Sequence, residues 1–291
     1  MTVTLPDEIA PIFQPIGDET KGLAIHAYQP TIDPGVSYTP TGRLISDTLG
    51  SEGTGYSHEI TADDGWWSAS LSLTGTVDEM ESWFNDGLNR HIEIYNPDME
   101  KIFEGFVNQI TYSAGTLTAD RGPLMDIANR VSVLYTPILS GTESPPITGT
   151  QTSTTIADNT VSQAKYGIIE KIFQAGQLYP DAADNLRDSY LADMAWPETS
   201  ESIATGSTSE PTISIQILGY VHRLNCYVVQ DITAVSVQLS DSDGTGKMQL
   251  LLADDPNGLF STDYSQMEDN GELVQRYENE NRTAWTAIKQ L

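Results

Sequence analysis

Alternation of apolar and polar residues is strongest in WWSASLSLT, Trp66 to Thr74. There Trp67, Ala69, Leu71 and Leu73 fall on one side and Trp66, Ser68, Ser70 and Ser72 on the other. A period of two belongs to a strand with one buried face, so a half-buried strand is predicted, with one tryptophan inside and the other outside. The period then lengthens. Thr76 stands at an N-cap position, Glu79 completes a capping box three residues on, and Val77, Met80, Phe84 and Leu88 recur at helical spacing. With Gly87 suited to a helix terminus, a helix is predicted over 77–87. RHIEIYN, a turn around Asn96, Pro97 and Asp98, and KIFEGFVNQITYS then form a predicted hairpin with Ile92 and Ile94 inward. Gly105 inside its second strand predicts a bulge or a close backbone approach. Strands follow at Gly115 to Asp120 and Asn129 to Thr136, the latter alternating through Val131, Val133 and Tyr135.

The flanking pattern is weaker. Residues 1–20 are Pro-rich and expected to be an arm that orders only against a neighbour, LAIHAYQ (Leu23 to Gln29) a first strand, and 30–64 a long loop. LSGTESPPITGTQTSTTIADN, 139–159, has linker composition. Thr160 and Gln163 suggest a second capping box opening a helix with Ile168, Ile169, Ile172 and Phe173 as its stripe. Another helix is predicted from Asp181 to Ala195, with Leu186, Tyr190 and Met194 on one face, ended by Trp196-Pro197. Strands are predicted at Thr212 to Leu218, Asn225 to Gln230, Ile232 to Leu239 and Lys247 to Ala253, and RTAWTAIKQL closes as a short helix carrying Trp285 and Ile288. The fold class expected is mainly β (α+β): an arm (1–20), a first β-barrel or sandwich unit (21–140), a linker (141–160), a helical insert (161–200) and a second β unit (201–291).

Charge narrows the partners. Across 291 residues, 41 Asp and Glu oppose 14 Lys and Arg, for a formal net charge of -27. DNA affinity depends on cations neutralising phosphates, and here they are few and scattered, so sequence-specific nucleic-acid recognition is not expected. Solubility or a salty host environment is the plainer account of the acidity. Cys226 is the only cysteine, which excludes an intrachain disulfide and a cysteine-based metal site. No run of 18 apolar residues and no signal-like N-terminus occurs, so synthesis in the cytoplasm is expected.

Candidate chemistry is sparse. Among so many carboxylates, pairs arise by chance and none marks an acid/base couple. His26, His58, His91 and His222 lie in separate segments and are expected to be strand or loop residues, not ligands. In DSDGTGK, Asp241 and Asp243 begin like a calcium loop, but Thr245 and Leu252 stand where its later ligands belong. Gly244 to Lys247 resembles a phosphate loop with Met248 in place of the Ser or Thr, and a hairpin turn is expected there instead. Cys226 is expected to be a buried thiol. No enzyme activity, catalytic residue, cofactor or metal is expected.

A family resemblance rests on the run from Gly65 to Leu73, the helix Val77 to Gly87, Arg90 to Tyr95, Phe103 to Val107 and Asn129 to Val131. Together these resemble tail hub and baseplate-hub proteins of tailed bacteriophages, over roughly residues 20–138, with ISIQILGYVHRL and NENRTAWTAIKQL similar to the second half of such hubs. The resemblance implies two tail-tube-like β-barrels with helical additions, arranged as a homotrimer with pseudo-six-fold symmetry. It implies a structural virion protein of the tail tip, joining the tail tube or distal tail protein to a central spike, fibre or tape-measure protein, while genomic DNA passes through the lumen without specific binding. On that reading part of the acidity would line the channel and keep it slippery. The alternatives are a hexameric distal tail adaptor and a carbohydrate-binding module for the host surface.

Overall fold

The computed structural model describes residues 13–15, 22–28, 44–45, 56–61, 65–95, 98, 100–203, 210–229, 237–240, 246–260, 270–274 and 282–289. In chain order the elements begin with β1 (Phe13–Pro15), β2 (Gly22–Tyr28), β3 (Leu44–Ile45), β4 (Ser57–Thr61), β5 (Gly65–Thr74) and α1 (Val77–Asp86). They continue with β6 (His91–Tyr95), β7 (Lys101–Ala114), β8 (Leu117–Arg121), β9 (Arg130–Ser140), β10 (Ile147–Thr148), β11 (Thr152–Ser153) and β12 (Ala157–Asp158). Then come α2 (Thr160–Tyr166), β13 (Glu170–Leu178), α3 (Pro180–Met194), β14 (Thr199–Ile203) and β15 (Thr212–Gly219). The last are β16 (Val228–Val229), β17 (Val237–Ser240), α4 (Lys247–Ala253), β18 (Asn270–Val274), β19 (Arg282–Thr283) and α5 (Ala284–Ile288), with short 3₁₀ turns at Leu124–Asp126 and Tyr220–Asn225. The protein is mainly β with largely antiparallel sheets, and two compact units interleave along the chain. One takes the elements up to Asp126 together with Pro197–His222; the other takes Ile127–Trp196 and the described elements from Arg223 onward.

The first unit is built on one sheet, in the order β1-β2-β6-β7-β15-β5-β4, with β8 on β7 and β14 on β8. Its terminal strands do not pair with one another, so the sheet is open and the expected barrel closure is not found. The alternation in β5 is used as predicted: Ala69, Leu71 and Leu73 are buried, opposite Ile217, Ile215 and Ile213 of β15. Those isoleucines in turn face Val107, Ile110 and Tyr112 of β7. Helix α1 covers this apolar face with Met80 and Trp83, and Phe84 meets the Tyr112 ring. Its start is the predicted capping box, in which the Glu79 backbone N–H donates to the Thr76 hydroxyl and the Thr76 N–H donates to the Glu79 carboxylate. Gly87 ends it for reasons of space: a Cβ there would strike the Trp83 carbonyl and Ile110. The helix has no cation in its last turn, and Arg121 of β8 donates to the Phe84 and Asn85 carbonyls instead.

Several boundaries differ from expectation. Strand β15 sits between β5 and β7, so the predicted 201–291 unit gives up its first strand to the earlier sheet. Alternation identifies a strand but not its neighbour. β1 falls within the expected arm and pairs with β2, while β3 and β4 fall within the expected 30–64 loop. Gly105 makes the close approach predicted for it, against Leu218 and opposite Gly219. The turn residues Asn96 and Pro97 lie outside the described residues.

In the second unit β9 pairs in antiparallel fashion with β10, β11 and β12, three short strands within the expected linker, and in parallel with β13. The predicted helical stripe lies outside the helix, Ile168 and Ile169 leading into β13 and Ile172 and Phe173 within it: the helix stops at Tyr166 because Gly167 takes a left-handed φ of 77, and the β-branched run after it extends. The expected helical insert is therefore a helix, a strand and a helix. Asn159, not Thr160, caps α2, accepting from the Ser162 N–H. α3 appears as predicted, with Leu186 and Tyr190 packed on Val133 and Tyr135. Residues 247–253, expected as a strand, form α4, in keeping with the helix preference of Lys, Met, Gln, Leu and Ala.

Asn129 holds the turn before β13. Its buried amide accepts from the Ile169 N–H and donates to the Gly167 carbonyl and the Ser162 hydroxyl. Asn129→Ala orphans the first two backbone groups at about 1–3 kcal/mol each, so a loss of roughly 2–5 kcal/mol is expected in urea unfolding. Thr142→Ala, an exposed control, should change stability by less than about 0.5 kcal/mol.

Candidate functional site

The reverse face of the first sheet carries the features that bear on function. Cross-strand partners share a face, so the register places Ser57 and Glu59 of β4 with Ser70 and Ser68 of β5, and Ser72 and Thr74 with Ser214 and Thr212 of β15. The same face continues through Gln216, Gln109, Thr111 and Ser113 to Asp120 and Thr118 of β8 and Ser200 and Ser202 of β14. Across β4, β5, β15, β8, β14 and the second half of β7 it is a surface of hydroxyls and amides, with two carboxylates and no lysine or arginine. Side chains bond laterally across it: Ser57 to Ser70 at 2.8 Å, Ser72 to Ser214 at 3.4 Å, and the Thr111 hydroxyl donating to Asp120 at 2.5 Å.

At one end of this face, β6 and β7 assemble an ionic cluster. Lys101 Nζ donates to Glu93 Oε1 at 2.5 Å and Glu104 Oε2 at 2.7 Å. His91 Nε2 lies 3.5 Å from Glu93 Oε1 and 4.0 Å from Glu104 Oε1. Two tyrosines orient the group: Tyr220 shares a 2.6 Å hydrogen bond with His91 Nδ1, and the Tyr95 hydroxyl donates to Glu93 Oε2 at 2.9 Å. His91 is buried at 3% side-chain exposure, Glu93 retains 15% and Glu104 27%, so the cluster opens on its Glu104 side.

Burial alone would push the Glu93 carboxyl up, but hydrogen bonds from His91 and Lys101 and the nearby ammonium outweigh it and hold the group well below the usual range. Burial likewise opposes the Lys101 charge, and both carboxylates override it, raising the ammonium above its ordinary value. Tyr95 is pushed up to about 12, by burial first and then by Glu93.

His58 lies on β4 and stacks on Tyr56 with centroids 5.4 Å apart, and His222, in the Tyr220–Asn225 turn, meets the Trp67 ring at a tilt with centroids 4.1 Å apart while its Nε2 contacts the Trp67 carbonyl. The side chain of His26 lies outside the described residues. The expectation of one inner and one outer tryptophan fails, since Trp66 and Trp67 are both half-buried. The register slips between Glu59 and Ile60, leaving Trp67 without an opposite residue on β4, and such a bulge turns both rings inward. Cys226 is fully buried and burial raises its thiol, which fits a structural role. Asp241, Asp243, Gly244 and Thr245 lie outside the described residues, whereas Gly246 and buried Lys247 begin α4. The His91 cluster was missed because only half of it is local: His91-x-Glu93 shares a face by strand period, but Glu104 joins through the hairpin register.

No protein family, curated protein or solved structure matches this chain.

Glu93 has its folded value lowered, so its stabilisation is complete above the unfolded value of about 4.3 and is lost as pH falls below it; that of Lys101 is complete below about 10.4 and is lost as pH rises above it. Glu93→Gln should therefore lower the urea midpoint at pH 7 and narrow its gap to wild type at pH 3. An equal gap at both pH values would show that the charge of Glu93 contributes nothing.

Proposed function

We propose that this chain is a non-enzymatic structural subunit of a bacteriophage tail tip, a tail-tube-like hub ring around the DNA channel. The observation that carries the reading is the hydroxyl-rich stretch of this face, which bears no lysine or arginine across β4, β5, β15, β8, β14 and the second half of β7, taken with a net charge of -27. A surface past which duplex DNA must slide cannot hold phosphates, and each lysine or arginine on it would add a salt-dependent attraction. Serine, threonine and glutamine offer no such charge, and Glu59 and Asp120 repel. The wall is thus slippery through hydroxyls more than through the carboxylates expected from composition.

Four of the five stretches carrying the family resemblance fall on the same framework, and Asn129 to Val131 lies in the second unit at the start of β9. The Gly65 to Leu73 run is β5, the capped helix is α1, and Arg90 to Tyr95 and Phe103 to Val107 build β6 and β7. In this reading the partners are further copies of the chain, the tail tube or distal tail protein, and a central spike, fibre or tape-measure protein. The chain resides in the virion.

Native mass spectrometry of the purified chain should give a closed ring of three copies; six would favour the distal adaptor. Ser70→Lys/Gln109→Lys/Ser214→Lys should convert a ring that ignores duplex DNA into one that retains it at about 50 mM salt and releases it at about 200 mM. A chain that stays monomeric at all concentrations and is missing from virus particles would sink the proposal.

A further inference from the structure

We propose that His91, Glu93 and Glu104 form a binding site for a divalent transition metal such as Zn²⁺, a site that Lys101 fills with its own ammonium and that the metal enters by displacing it. Three features beyond the carboxylates support a ligand set. First, the donor atoms of the three side chains converge within 4.8 Å of one another. Nitrogen and oxygen ligands about 2.0–2.2 Å from a tetrahedral zinc stand about 3.4 Å apart. The His91 Nε2 to Glu93 Oε1 distance is 3.5 Å, and Glu104 Oε1, at 4.0 Å from the same nitrogen, needs to close by about half an ångström. Glu104 is the most exposed of the three and can make that movement.

Second, two of the three ligands are already held from behind. Tyr220 engages His91 at Nδ1, the contact that directs Nε2 toward the carboxylates, and Tyr95 donates to the Glu93 oxygen that faces away from His91. Outer partners of this kind fix ligand orientation in metal sites and strengthen binding. Third, a cation is already required here. Lys101 bridges both carboxylates, and its long flexible stem, with the side chain 30% exposed, lets the ammonium swing to solvent once a divalent ion supplies more charge from a smaller volume. Three protein ligands leave one coordination position for water.

The competition between lysine and metal separates this site from adventitious binding by an acidic surface. Titration calorimetry of the full chain with Zn²⁺ at pH 7 should show one saturable site, tightened at least tenfold by Lys101→Met and weakened at least tenfold by His91→Ala. Glu104→Gln, at a partly exposed position where the isosteric amide preserves the fold, should weaken it similarly, and Glu59→Gln, elsewhere on the same face, should not. Co²⁺ should give a visible ligand-field band in wild type and in Lys101→Met that disappears in His91→Ala. Unchanged Zn²⁺ affinity in both His91→Ala and Glu104→Gln, or weaker binding in Lys101→Met than in wild type, would overturn the proposal. If His91→Ala fails to fold by circular dichroism, Glu104→Gln and Lys101→Met decide it alone.

Discussion

The first unit depends on one irregularity in β7. Gln216 of β15 faces Gln109 and Ile217 faces Val107, which leaves Asn108 without an opposite residue. Such a bulge bends a strand and increases its twist. β7 uses the change of direction to pair with β6 through its first half and with β8 through its second, along one edge. The side chain of Asn108 ties the irregularity down: its amide donates to Gln216, and its carbonyl oxygen accepts from the Met125 N–H. The irregularity falls between the residues of β7 that pair with β6 and those that pair with β8, so the sheet forks at this residue.

The bulge also keeps the two faces of the sheet chemically distinct. By moving the register one step it keeps Val107 and Ile110 on the same side although three positions separate them, where plain alternation would oppose them. The apolar side, with Ile213, Ile215 and Ile217 at its centre, supplies the hydrophobic driving force. Across β4, β5, β15 and β8 the opposite side contributes nothing to that buried core, whereas at its β6 end His91 and Phe106 are buried. The composition of that stretch is therefore informative: serine and threonine suit the pleat without requiring burial, and the confinement of lysine to Lys101 at the far end, in a face whose edge strands ordinarily use it against aggregation, calls for another reason. Low adhesion to a polyanion is such a reason.

What was legible in the sequence was what local physics decides. The strand at Trp66 to Thr74, the capping box at Thr76 and Glu79, and the helix at 180–194 each rest on signals within a few residues, and each appears in the structure. Ile168 to Phe173 misled because its apolar spacing fits both periods, and only the left-handed Gly167 separates helix from strand. The linker composition of 141–160 concealed three short strands that need β9 to exist. Strand β15 was placed correctly along the chain and in the wrong sheet, since its partners lie about a hundred residues earlier.

The site shows the same limit at the level of chemistry. His91 and Glu93 could be assigned to one strand face from their spacing, but a single carboxylate beside a histidine is common and commits to nothing. Glu104 and Lys101 arrive only when the hairpin register sets Glu93 opposite Glu104. Two like charges directly across a strand pair destabilise it unless a cation lies between them. The hairpin therefore needs a positive group at that point, whatever its source, and Lys101 and a bound metal are two solutions to one electrostatic requirement that the fold itself creates.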